Sequence, residues 1–307
     1  MSALAFTVLA LALVGPIPEW LARAQWPMRA PRAALVLWQS IAVAAVLSAF
    51  SAGLALAAHL FVPGPDGRPT ADVGEQIAVL GLPVWLCAMA VLTVTVVIGA
   101  RLALACAKVA IGTRRRRSHH RMMVDLLGER RRELGEVRVL DVDAPLAYCL
   151  PGVRSRVVLS RGTLSSLAEP ELAAILRHER THLRARHDLV LEAFIAAHTA
   201  FPRFVRSGSA LCAVRLLVEL LADDAAARHA GPRPLARALV ACACSPVPAG
   251  ALGAGGPSTL IRVRRLSGPP NSAAVAAAAY CAAAAVLVIP TIAVAVPWLT
   301  ELQRLWP

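Results

Sequence analysis

The chain has 307 residues, of which 57% are hydrophobic, with a mean hydropathy of +0.61 and a formal net charge of +13. That hydrophobicity is too high for an ordinary soluble domain, and it is gathered in long uncharged blocks. Seven cysteines show no C-x-x-C spacing and sit mostly in apolar segments, so they read as reduced core or intramembrane residues.

In chain order, the first block is Ser2 to Ile17, short but uninterrupted. It lacks the basic leading region and the small-residue cleavage site of a signal peptide, so it is expected to stay as a membrane span. Ala34 to Leu60, Ile77 to Ala100 and Ala273 to Leu299 carry no Asp, Glu, Lys or Arg, and each is long enough to cross a bilayer. Pro290 and Pro297 predict a kink in the last of them.

Orientation is read from the arginines. The first loop holds Arg23, Arg29 and Arg32 against Glu19, whereas Val62 to Gln76 holds Arg68 against Asp66, Asp72 and Glu75. Arg101, Lys108 and the run Arg114 to Arg117 follow the third span, and Arg262, Arg264 and Arg265 precede the fourth. The positive-inside rule then places the first loop and the large central segment in the cytoplasm, with both termini outside. The Arg114–Arg117 run, continued by His119, His120 and Arg121, is expected to anchor against anionic lipid. No aromatic interleaving accompanies it, so direct nucleic-acid binding is not expected.

The central segment has the size of one domain. Ser118 to Leu134 reads as a helix ending near Gly135, followed by short strands at Val137–Leu140, Leu146–Leu150 and Val157–Ser160. Ser166-Leu167-Ala168-Glu169 has the form of a capping box, with Pro170 suited to the first turn of the helix it opens. That helix is expected to continue to Ala200, where Phe201-Pro202 breaks it, and another spans about Ala210 to His229 before Gly231-Pro232. A small α+β domain with a three-strand edge and two long helices results.

On the first of those helices stands His178-Glu179-Arg180-Thr181-His182. Residues i and i+4 share a helix face, so both imidazoles can reach one metal ion, with Glu179 placed to activate a water. A catalytic zinc needs three protein ligands and an open position, so a third must come from another element. The helix ending at His229 offers Glu219 and Asp223, again i and i+4, as a ligand and a carboxylate to orient a ligand imidazole. The alternative for Glu219 is a pair with Arg215, and Asp224 competes with Asp223 for the orienting role. Cys242-Ala243-Cys244 lacks partner ligands nearby, and His59 has no evident partner. An oxyanion donor is required, and Tyr148, His187, His198 and His229 are candidates; His187 otherwise reads as a helix-surface residue. The strand at Leu146 to Leu150 is placed to pair with an extended peptide.

The stretch from Ala147 to Asp223 resembles the BlaR/MecR-type antirepressor family of membrane metallopeptidases, and more distantly the HtpX/Ste24-type membrane proteases. The resemblance rests on Leu150-Pro151-Gly152, Val157-Val158-Leu159-Ser160-Arg161-Gly162, Glu171 to Leu176, the H-E-x-x-H, Arg186-His187-Asp188, and the E-x-x-x-D of Glu219 and Asp223. It implies that His178, His182 and Glu219 hold a zinc ion (Zn2+), that Glu179 is the general base, and that Asp223 orients a ligand. It further implies an integral membrane, mainly α protein of the bacterial cytoplasmic membrane. In that arrangement an α+β zincin-like (gluzincin) domain lies between the third and fourth of four transmembrane helices. Residues 1–112 would be three spans (about 2–17, 34–60 and 77–100) with a juxtamembrane extension, 113–271 the cytoplasmic peptidase, and 272–307 the fourth span with a short outer tail. The known sensors continue into an extracellular penicillin-binding domain; this sequence stops at Pro307. The implied substrate is a cytoplasmic winged-helix repressor of the BlaI/MecI type. The alternatives are quality-control cleavage of the HtpX kind and a non-catalytic membrane transducer.

Overall fold

In lipid a backbone must satisfy its own polar groups, and a helix does so within one segment. The computed structural model describes residues 2–57, 60, 72–134, 137–152, 154–201, 208–243, 252–253 and 258–305, most of them helical. Among them four helical stretches are long and apolar enough to cross a membrane: Phe6–Arg23, Pro31–Ala57, Leu82–Leu127 and Ala273–Ile292. The calls on His59, Asp66, Arg68, Gly135, Pro202 and Cys244 lie outside the described residues.

The first stretch is two helices, α1 (Ser2–Val14) and α2 (Pro16–Arg23), which meet at Gly15. Next comes α3 (Pro31–Ala57). The expected third span, Ile77 to Ala100, is interrupted. Helix α4 (Val73–Leu80) ends at Gly81, whose φ of 77° only glycine adopts readily, and α5 (Leu82–Leu127) starts with Pro83 in its first turn. Close packing joins α3 to α5, where a Cβ on Gly53 would lie 2.0 Å from Thr95 Oγ1. The last helix, α12 (Ala273–Leu305), runs through Pro290 and Pro297 as one element.

No break occurs where a new helix was expected at Ser118. Instead α5 runs on to Leu127, 46 residues in all, and the segment assigned to the end of the expected helix forms strand β1 (Glu129–Arg131) and a 3-10 turn at Arg132–Leu134. The strand forms because β2 (Val137–Leu140) offers it a ladder, pairing antiparallel with Arg130 opposite Arg138. Strands β3 (Ala147–Leu150) and β4 (Arg156–Ser160) follow, and β5 (Leu252–Gly253) returns late in the chain. The mixed sheet has the order β1-β2-β4-β3-β5, with β2 parallel to β4 and the other pairs antiparallel. The edge of β3 expected to receive a peptide is thus taken up by β5, with Cys149 opposite Leu252 and Tyr148 opposite Gly253.

After the sheet come α6 (Arg161–Ser166), α7 (Glu169–Arg184), α8 (His187–Ala200), α9 (Gly208–Ala230), α10 (Pro232–Ala241) and α11 (Thr259–Leu266). The capping box is shifted from its expected place. Ser166 closes α6, and the Ala168 N–H donates to the Glu171 carboxylate at 3.0 Å to start α7. The single helix expected up to Ala200 is two, because Arg186 adopts a left-handed φ of 52° between α7 and α8.

Two apolar cores meet at α9. One gathers Val139, Cys149 and Leu159 of the sheet with Ile175 of α7, Ala226 of α9 and Leu235 of α10. The other gathers Leu35 and Trp38 of α3 with Val214, Leu217 and Val218 of α9. Glu219 and Asp223 stand on α9 between the two.

Candidate metal centre

Helix α7 buries its apolar face, Ala174 and Ile175, so the next turn carries His178, Glu179 and His182 into the interior with no solvent exposure. Helix α9 crosses α7 and brings Glu219 to the same point. The two imidazole Nε2 atoms are 3.1 Å apart; Glu219 Oε2 lies 3.4 Å from His178 Nε2, and Oε1 lies 3.6 Å from His182 Nε2. Ligands bonded tetrahedrally to zinc at their usual lengths stand about 3.3 Å from one another. The three ligand atoms therefore have the spacing of a metal site.

Each ring has a close neighbour at its other nitrogen, an ion-pair contact for His178 and a ring–ring hydrogen-bond contact for His182. His178 Nδ1 is 3.0 Å from Asp223 Oδ1, and His182 Nδ1 is 3.0 Å from His187 Nδ1. Both leave Nε2 facing the centre. Asp223, not Asp224, reaches His178; Asp224 accepts from Arg265 at 2.6 Å and from Asn271 at 2.9 Å. Glu219 pairs with Arg262, 3.0 Å away, and the exposed Arg215 has no part in that pair.

Arg262 is the residue that sequence reasoning missed. It is 1% exposed, donates to Asp223 from Nε at 2.7 Å and from Nη2 at 2.6 Å, and places Nη2 3.5 Å from His178 Nε2. In the sequence it sits beside Arg264 and Arg265 and was absorbed into the basic cluster before the fourth span. Nothing in the spacing of α11 would have singled it out.

The charges support a dication. Glu179, Glu219 and Asp223 bring three carboxylates to one buried place, and Arg262 neutralises one of them. With the carboxylates ionised and both imidazoles neutral, as a bound metal requires, two negative charges are left, which a divalent metal balances. Both Glu179 oxygens are buried without a hydrogen-bond partner among the described residues. Proton affinities reflect the same imbalance. Burial raises the Glu179 pKa to about 7, with Glu219 adding to the rise and His178 opposing it. Burial disfavours a charged His178, yet Asp223 and Glu219 outweigh it and lift its pKa to about 9. Burial lowers His182 to about 3 and His187 to about 4. Burial acts against an ionised Glu219, but His182, Arg262 and His178 hold it down at about 2.

The oxyanion candidates scatter. Side chains alternate along a strand, so Cys149 faces the site while Tyr148 faces the opposite side, where its hydroxyl meets His120 Nε2 at 2.9 Å. Burial raises that phenol to about 12. His187 is buried against His182 rather than on the helix surface, His229 is exposed, and His198 is half-buried on α8. The basic run behaves differently from expectation at one position. Arg114, Arg115 and Arg116 are exposed, whereas Arg117 turns inward to Asp188 at 3.1 Å and Glu192 at 2.7 Å.

A family model for peptidase family M48 matches residues 113–217, less than half of the chain. The match covers the sheet from β1 to β4 and the helix bearing His178, Glu179 and His182, and it ends before Glu219. No curated protein and no solved structure matches the chain.

Proposed function

We propose that this protein is a membrane-associated zinc-dependent endopeptidase, with His178, His182 and Glu219 as ligands and Glu179 as general base. The observation that carries the reading is the meeting of three ligand atoms from two helices beside the fully buried Glu179. The likeness of residues 113–217 to peptidase family M48 supports the reaction class.

When bound, zinc lowers the pKa of a coordinated water and polarises the scissile carbonyl. Glu179, near 7 because of its burial, can take a proton from the attacking water and give it to the departing amine nitrogen. Asp223 lies 3.0 Å from His178 Nδ1 and His187 3.0 Å from His182 Nδ1, so each ring meets its neighbour at Nδ1 and leaves Nε2 toward the centre. Arg262 keeps Asp223 and Glu219 ionised. The sheet edge at β3 is shared with β5, so an extended substrate gains backbone pairing there only where β5 does not cover it.

Glu179→Gln tests the reading. Peptide cleavage by the purified protein should fall by about 10²-fold or more, with zinc content unchanged on metal analysis. Cleavage at the wild-type rate would remove Glu179 as the general base, and absence of cleavage by the wild-type protein would leave the non-catalytic transducer.

The motifs shared with antirepressor peptidases favour regulated proteolysis of a winged-helix repressor of the BlaI/MecI type. In this reading residues 113–271 form the cytoplasmic peptidase between the third and fourth spans, and both termini lie outside the bacterial cytoplasmic membrane, as the arginine distribution favours. Quality-control cleavage of unfolded membrane proteins is the second reading, favoured by a family match that covers the catalytic helix and carries no repressor specificity. Cleavage of a purified repressor at one site, with unfolded proteins left intact, separates the first from the second.

A further inference from the structure

An imidazole that offers Nε2 to a metal carries its proton on Nδ1, and that proton needs an acceptor. His178 has Asp223. For His182 the atom in place is Nδ1 of His187, 3.0 Å away, with the two rings edge-on at 82°. We propose that His187 is the positioning residue of His182, accepting the Nδ1 proton and thereby fixing which nitrogen faces the metal. The proposal rests on the metal-centre reading above and adds a residue to it.

Three features of the chain put His187 there. It is 3% exposed, so water does not compete for the contact. It opens α8 directly after Arg186, the one non-glycine residue with positive φ among the described residues, and that turn folds the ring back onto α7. Asp188, next in the chain and 1% exposed in its side chain, is gripped by Arg117 of α5 at 3.1 Å and approached by Arg186 Nε at 3.4 Å. The same Arg117 holds Glu192 one turn further along α8 at 2.7 Å. The start of α8 is thereby pinned to α5, and His187 with it.

The arrangement makes the two ligand rings unequal. A carboxylate acceptor raises the basicity of the ring it holds, as Asp223 does for His178. A neutral imidazole acceptor does so less, which leaves His182 the weaker donor and the metal more electrophilic than two carboxylate-backed rings would. A histidine kept only for packing would be indifferent to where its acceptor atom lies. An acceptor is needed at the Nδ1 position specifically.

The experiment compares zinc affinity, by competition with a chelator, and the visible spectrum of the cobalt-substituted protein, using the full chain in detergent. His187→Asn puts an amide oxygen close to the place of Nδ1, His187→Gln puts it near Nε2, and His187→Leu removes it. Asn should bind zinc within about threefold of wild type, while Gln and Leu lose about 10- to 100-fold and shift the cobalt bands. Leu binding as tightly as wild type, or equal losses in all three, would overturn the proposal. If the Leu variant does not fold, equal affinities for Asn and Gln overturn it alone. Failure of the wild-type protein to bind either metal would remove the metal centre itself, an outcome distinct from any difference among the variants.

Discussion

Arg262 reaches the metal-site carboxylates from 39 residues beyond Asp223. Removing it leaves Asp223 and Glu219 buried side by side with no fixed cation, so Arg262→Met should cost about 3–5 kcal/mol in the metal-free protein, read from thermal unfolding in detergent. A loss below about 1 kcal/mol would mean that His178 alone compensates the pair. Protonation at the site gives a second expectation. His178, lifted to about 9 by Asp223 and Glu219, holds a proton at neutral pH, and a metal ion must displace it. Zinc addition to the metal-free protein at pH 7 should therefore release a proton, and affinity should rise about tenfold per pH unit until near 9. An indicator dye showing no release would contradict this. His178, Glu179, His182, Glu219 and Asp223 were legible in the sequence because each pair lies within one helix, where spacing fixes the shared face. Arg262 was not legible, because its role exists only once α11 is laid against α9.

At the scale of elements, most strands and the helices bearing the site could be read from pattern, and the departures fell at element ends and at two internal breaks, Gly81 and Arg186. Ser118 is no helix start: nothing in the arginine run before it breaks a helix, and α5 continues through it. Strand β1, Glu129-Arg130-Arg131, has no apolar alternation, and its three residues are exposed; it forms only because β2 pairs with it. The break at Arg186 has no signature in the sequence, since a left-handed arginine leaves no mark in composition. One glycine shows how tightly the turn after β4 is built. A Cβ on Gly162 would lie 1.8 Å from the Asp143 carbonyl oxygen, and its N–H donates to Val142 at 2.9 Å. Gly162→Ala should destabilise by about 1–3 kcal/mol, seen as a lower Tm. An unchanged Tm would show that the 141–146 segment yields.

Over the whole molecule, the apolar blocks were visible from hydropathy alone, but the way the α+β part is attached to them was not. Arg117 belongs by sequence to an exposed basic run and by structure to a buried ion pair between α5 and α8. Arg117→Met should cost about 3 kcal/mol, because it leaves Asp188 with only the exposed Arg186 and takes from Glu192 its partner on α5. Arg114→Met, at an exposed position, should stay within about 0.5 kcal/mol. Equal Tm values for the two would restore the reading of Arg117 as a lipid anchor. The 46 residues of α5 form an unbroken rod ~69 Å long, running from its apolar end to the sheet. Such a rod is a lever arm: tilting it by ~5° about Leu82 sweeps Arg117 and Leu127 sideways by ~5 and ~6 Å. That travel exceeds the stretch any hydrogen bond tolerates, so a small tilt in the bilayer must either drag α8 along or tear it from its anchor.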